Sequence, residues 1–113
     1  MHINKELLKG STVILILKLL DQNPMYGYEM IKAIEEKSGG IFSFKEGTLY
    51  PILHNLEQNG LLESYWDDEN GKRKRKYYKI TKDGKFSLKE KKKEWTLFRS
   101  AVEKVLLEGC ICQ

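Results

Sequence analysis

The stretch Val13-Ile14-Leu15-Ile16-Leu17-Lys18-Leu19-Leu20 is apolar everywhere except at Lys18, and it constrains the fold more than any other segment. Read as a helix, it is apolar round most of its circumference and needs cover on more than one side. It is too short to span a bilayer, which takes about 20 residues. A chain of 113 residues, 41% hydrophobic and 32% charged, has material for one modest core. One flank of the helix is therefore expected to face that core, and another a second copy of the chain.

The helix is expected from about Leu7 to Leu20, with Asp21-Gln22-Asn23-Pro24 as its stop. A second helix, Tyr26 to Lys37, carries Met30, Ile31 and Ile34 at helical spacing and ends at Ser38-Gly39-Gly40. Ile41-Phe42-Ser43-Phe44 reads as a short strand or a loop. A third helix, Thr48 to Asn59, puts Leu49, Ile52, Leu53 and Leu56 on one stripe. Thr48 is its expected N-cap, Pro51 falls in its first turn, and Gly60 closes it. Leu61–Asp67 and Lys74–Ile80 then form a hairpin about Glu69-Asn70-Gly71. Within it, Trp66 faces the same way as Leu62 and is expected to pack in the core across from Tyr78. Thr81 caps a last helix that runs to about Leu107, roughly 40 Å at 1.5 Å per residue.

The order helix, helix, helix, hairpin, long helix is mainly α with a small β-hairpin, the layout of a winged helix-turn-helix. It divides the chain into a winged DNA-binding unit over 1–80, a dimerisation helix over 81–108 and a flexible tail over 109–113. The charge agrees with this layout. Formal net charge is +4 with a pI of about 9.0, and Lys72-Arg73-Lys74-Arg75-Lys76-Tyr77-Tyr78-Lys79 concentrates it on the hairpin. A second run, Lys89 to Glu94, is broken by acids and reads as the wet face of a helix. In the winged layout the third helix enters the major groove and the basic hairpin reaches flanking phosphates. The side of that helix opposite its core stripe carries Gly47, Tyr50, Pro51, His54 and Gln58, of which Tyr50 and His54 can hydrogen-bond base edges or phosphates. Read alone, a basic hairpin could instead be a solvated edge that discourages sheet aggregation.

Four segments carry a resemblance. Tyr26-Gly27-Tyr28-Glu29, Glu46-Gly47-Thr48-Leu49-Tyr50-Pro51, Leu56-Glu57-Gln58-Asn59-Gly60-Leu61-Leu62 and Lys76-Tyr77-Tyr78-Lys79-Ile80-Thr81 resemble, in this order, the PadR family of bacterial transcriptional regulators. The resemblance implies a dimeric winged-helix repressor whose first and last helices build the interface, in the compact form with a short final helix. The candidate DNA-contacting residues are then Tyr26, Thr48, Tyr50, Pro51, His54, Gln58, Lys72, Arg73, Lys74, Arg75 and Lys76. Two-fold symmetry would repeat the reading helix about 34–36 Å away, so a palindromic duplex operator is expected.

Trp95, Phe98, Val102 and Val105 follow one another at coiled-coil spacing and, with Ile14, form the expected dimer interface. In the drug-binding branch of the resembled family, a tryptophan at this offset after the wing lines a pocket between subunits. Trp95 matches it, Val13 resembles a lining residue, and Leu17, Phe98 and Arg99 lie beside them. The branch carries an acid four residues after the tryptophan, where this chain has Arg99, so a neutral or anionic aromatic effector is expected. Such an effector would release the repressor. The alternatives are a constitutive regulator in which Trp95 only fills the dimer core, and a metal or redox sensor built on Cys110 and Cys112.

Catalysis is not expected. His2 and His54 lie far apart, no phosphate-cradling glycine loop or paired carboxylates occur, and Asp67-Asp68-Glu69 falls at the hairpin tip. No cofactor or metal is expected. The start, Met1 to Glu6, lacks a signal-peptide layout, and two cysteines one residue apart form no disulfide framework, which points to a reducing, cytoplasmic setting.

Overall fold

A computed structural model describes residues 3–68 and 74–108. The chain forms α1 (Lys5–Lys9), α2 (Thr12–Gln22), β1 (Met25–Tyr26), α3 (Gly27–Lys37), α4 (Glu46–Gln58), β2 (Leu62–Asp67), β3 (Arg75–Ile80) and α5 (Lys82–Leu106). The fold is the expected mainly helical winged arrangement, with a three-stranded antiparallel sheet in the order β1-β3-β2.

The first expected helix divides in two. Asn4 caps α1 by accepting the Glu6 N–H at 2.8 Å, and Gly10 ends it. Glycine gives up the most backbone entropy in a helix, and serine competes for backbone hydrogen bonds, so Gly10-Ser11 is where the helix breaks. In α2, Ile16, Leu17, Leu19 and Leu20 enter the core, while Val13, Ile14 and Leu15 on the other flank stay half-buried. One chain thus covers only one side of this helix.

The short strand β1 has no counterpart in the sequence reading. Met25 and Tyr26 pair with Tyr78 and Tyr77 of β3 and extend the hairpin to a third strand. The Tyr26 N–H then donates to the Glu29 carboxylate at 3.1 Å, which starts α3. After α3, Gly39 and Gly40 take positive φ of 64° and 83°, a region open mainly to glycine. Residues 41–45 form a loop, not a strand, and from it Phe44 drops into the core.

Helix α4 begins two residues before the expected start. Lys45 occupies the N-cap, and Thr48 sits inside the first turn with its N–H bonded to the Lys45 carbonyl at 3.0 Å. Pro51 consequently lies inside α4, beyond its first turn. Leu49, Leu53 and Leu56 point inward against Met30, Ile34, Leu62, Tyr78 and Leu88. The helix closes on Gly60 (φ 78°), with Gly60 N–H bonded to Glu57 and Leu61 N–H to Leu56, each at 3.0 Å, the paired closure of a Schellman motif.

Thr81 fastens α5 to this closure. Its hydroxyl donates to the Gly60 carbonyl at 2.6 Å and accepts the Gly84 N–H at 3.0 Å, while its own N–H donates to Leu61 at 3.1 Å. Gly84 is buried so closely that a Cβ there would collide with the Leu61 carbonyl oxygen and with Cγ1 of Ile80. Helix α5 reaches the core through Gly84 and Leu88, packs along α2, and then projects beyond it in a molecule of 63 × 32 × 21 Å. Trp95, Phe98, Val102 and Val105 are exposed along it.

Candidate nucleic-acid interface

The solvent side of α4 faces the inner face of the β2–β3 wing across an open cleft of about 730 Å³. Its walls hold Tyr50 and His54 from α4, Tyr26, Gly27 and Tyr28 from the start of α3, and Lys74, Arg75, Lys76, Trp66 and Tyr78 from the wing. The residues at these positions follow from two periodicities. The inward stripe of α4 leaves Tyr50 and His54 outside, and the register pairs Trp66 with Lys76 and Ser64 with Tyr78.

Tyr50 is held by a missing side chain. Its ring lies where a Cβ on Gly27 would stand, 2.5 Å from Cε1, so only glycine permits this close approach. Burial, then Glu46, then Tyr78 raise the Tyr50 hydroxyl above the ordinary tyrosine pKa, so it stays a neutral donor at physiological pH. On the outer wing face Tyr77 stacks on Tyr65 at 5.6 Å and meets Tyr26 edge-on at 5.4 Å. Its hydroxyl is likewise raised, first by burial, then by Glu29 and Asp67, with Arg75 opposing.

Glu57 ties the wing to α4. It accepts the Ser64 hydroxyl of β2 at 2.6 Å and pairs with Lys76 of β3 at 3.7 Å. Lys76 is therefore partly neutralised before any partner arrives. Lys74 and Arg75 are exposed, and the Arg75 guanidinium lies 4.6 Å from the Tyr26 ring centroid, which orients it without using up its charge.

Of the expected contact residues, Tyr26, Tyr50, His54, Lys74, Arg75 and Lys76 meet in the cleft. Thr48 and Pro51 are exposed but border a separate groove against α1 and α2, with Gly47. Gln58 is exposed at the far end of α4. Lys72 and Arg73 lie outside the described residues, as do Cys110 and Cys112.

Trp66 overturns its expectation. It shares a face with Leu62 but is 64% exposed, and its cross-strand partner is Lys76 rather than Tyr78. The wing overhangs the core, so the face that buries Leu62 at one end meets water at the other.

The expected effector residues divide similarly. Val13, Ile14, Trp95 and Phe98 border one shallow groove between α2 and α5, of about 250 Å³; Ile14, Leu15, Phe42 and Trp95 border another of about 390 Å³. Leu17 is wholly buried in the core and lines neither. Arg99 stacks its guanidinium 5.2 Å from the Trp95 ring and pairs with Glu103 at 3.8 Å. Among the described residues, no His, Cys, Asp and Glu group is placed to hold a metal ion, and no helix is long and apolar enough to cross a membrane.

The comparisons agree with this geometry. A transcriptional regulator of Clostridium thermocellum matches with a TM-score of 0.82 and 36% identity, over 88% of this chain and 97% of that one. A PadR family transcriptional regulator of Eggerthella lenta matches with a TM-score of 0.80 and 38% identity, over 91% and 88%. A Lysinibacillus sphaericus protein named Uncharacterized protein X is 34% identical over 107 residues, spanning 95% of this chain and 97% of its own length. The model of the transcriptional regulator PadR-like family matches residues 16–90, which hold α3, α4 and the wing together with most of α2 and the start of α5. The chain belongs to the PadR-like family of transcriptional regulators, proteins that control transcription rather than catalyse a reaction.

Proposed function

We propose that the chain is a homodimeric repressor that binds a palindromic duplex operator. The observation that carries this reading is the cleft, where the exposed face of α4 and the exposed cations Lys74 and Arg75 converge. Helix α4 would lie in the major groove and the wing would neutralise neighbouring phosphates. Dimerisation would come from two surfaces one chain leaves open. These are the half-buried Val13, Ile14 and Leu15 flank of α2, and the α5 seam, where Phe98 and Val105 are 64% and 68% exposed. So much contiguous apolar surface is rare on a monomer.

The test is selection of bound fragments from random duplexes, followed by anisotropy titration of the winner at several salt concentrations. An inverted repeat and an affinity that falls steeply with salt are expected. Phe98→Asp should give a folded monomer with weak operator binding. A parent chain that is monomeric and indifferent to duplexes at low ionic strength sinks the proposal.

Regulation by an effector rests on Trp95. Its indole borders both grooves between α2 and α5, and two chains set face to face could enclose a volume in the usual ligand range of about 300–1,000 Å³. A planar aromatic would stack there. The Arg99 guanidinium on Trp95 favours a neutral or anionic ring over a cationic one. The ligand would release the operator by preferring one arrangement of the dimer, with a coupling of about 1–3 kcal/mol. Calorimetry against a panel of planar aromatics should show binding that Trp95→Ala removes while sedimentation still reports a dimer. A monomeric Trp95→Ala chain would assign Trp95 to packing alone.

A further inference from the structure

Trp66 is a large aromatic of the cleft that neither the helix-in-groove geometry nor the cationic hairpin uses. It is 64% exposed at the far end of β2, although Leu62 on the same strand face is 2% exposed. Its cross-strand partner is the polar Lys76, and both line the cleft. Tyr50 of α4, 43% exposed, lines the same cleft. Lys74, Arg75, Lys76 and His54 also line the cleft, against a single acid among the described lining residues, Glu46. A trough lined by cations and by aromatic rings suits a polyanion that also carries apolar units. A sugar–phosphate strand is such a molecule: each phosphate is followed by a deoxyribose with little polarity on its ring face.

We propose that Trp66 is a DNA-contact residue. In this arrangement one strand of the duplex runs through the trough between α4 and the wing. The indole face packs on a deoxyribose, and its N–H donates to a phosphate oxygen. This inference rests on the reading of the cleft as a duplex interface and adds to it a grip of different chemistry. The lysines and Arg75 act by displacing counterions, so their contribution falls with salt. An uncharged indole displaces none. It holds the strand at any ionic strength and without regard to base sequence, so it sets how deeply the strand seats and hence the register of α4 in the major groove.

The experiment uses the full chain with a duplex selected from random sequences. Binding is followed both by anisotropy of the labelled duplex and by tryptophan emission of the protein. The parent should lose emission intensity as the duplex saturates it, and Trp66→Phe should lose most of that change. Trp66→Ala should bind roughly 5–20-fold more weakly, with the slope of log affinity against log salt unchanged and with Trp66→Phe in between. Thermal melting reports whether each variant is folded; should the alanine variant fail to fold, the emission change and the phenylalanine variant decide. Parent emission that stays constant while anisotropy shows saturation overturns the inference, as does parent-like affinity in Trp66→Ala. A reduced salt slope in that variant also overturns it, since the indole would then act by placing the lysines. A parent with no anisotropy change at all strikes the duplex reading itself, which is a separate failure.

Discussion

Reversing the wing charge with Lys74→Glu and Arg75→Glu together is expected to lower duplex affinity on the order of 100-fold or more at moderate salt. Both side chains are exposed on the cleft. Arg75 is steadied over Tyr26, whereas Lys76 is already tied to Glu57. The loss should be similar for every duplex, because phosphate contacts carry no sequence information. The salt slope should shrink by about two units per bound chain, one for each lost contact. Anisotropy titrations at four salt concentrations read both quantities. Unchanged affinity would remove these two residues from the interface. A loss confined to the selected operator would make them readers of sequence.

The second large effect concerns stability and runs against helix propensity. Alanine in place of a helical glycine ordinarily stabilises by up to about 1 kcal/mol. At Gly84 the new Cβ would meet the Leu61 carbonyl oxygen and Ile80 Cγ1, and backbone cannot step aside as a flexible side chain can. Gly84→Ala should therefore destabilise by about 2–3 kcal/mol net, lowering Tm by roughly 10–20 °C. Gly47→Ala is the control. It also lies inside a helix, but nothing stands within 4 Å of its Cβ position, so the ordinary gain should appear. Thermal melts of the two variants without DNA should move in opposite directions. A Gly84→Ala chain as stable as its parent would show that the α4–α5 contact yields readily.

Much of this architecture can be read from the chain. The helices announce themselves because each carries an apolar stripe at a period near 3.6, as Leu49, Leu53 and Leu56 do in α4. The hairpin is visible through its aromatic strands and the Glu69-Asn70-Gly71 turn signal, and Thr81 through its place before a helical pattern. Features that depend on distant partners are not visible. Strand β1 is two residues long and exists because β3 lies beside it. The start of α4 carries no capping side chain, since Lys45 makes no such bond, and the next side chain with capping chemistry is Thr48. Alternation placed Trp66 on the correct strand face but could not say where the core beneath it ends. The cleft was legible in its parts, Tyr50, His54 and the basic run, but not in its assembly. The Gly27 notch under Tyr50 and the Glu57 bridge to both wing strands arise only once the sheet and α4 are stacked.

The joint at Thr81 makes α5 a lever. Its 25 residues span about 38 Å from a fulcrum bonded directly to the end of α4. A swing of about 5° at that fulcrum displaces the far tip by roughly 3 Å. In the proposed dimer, a small shift between two α5 tips would run this in reverse and reorient α4 together with the wing, which Glu57 joins to it.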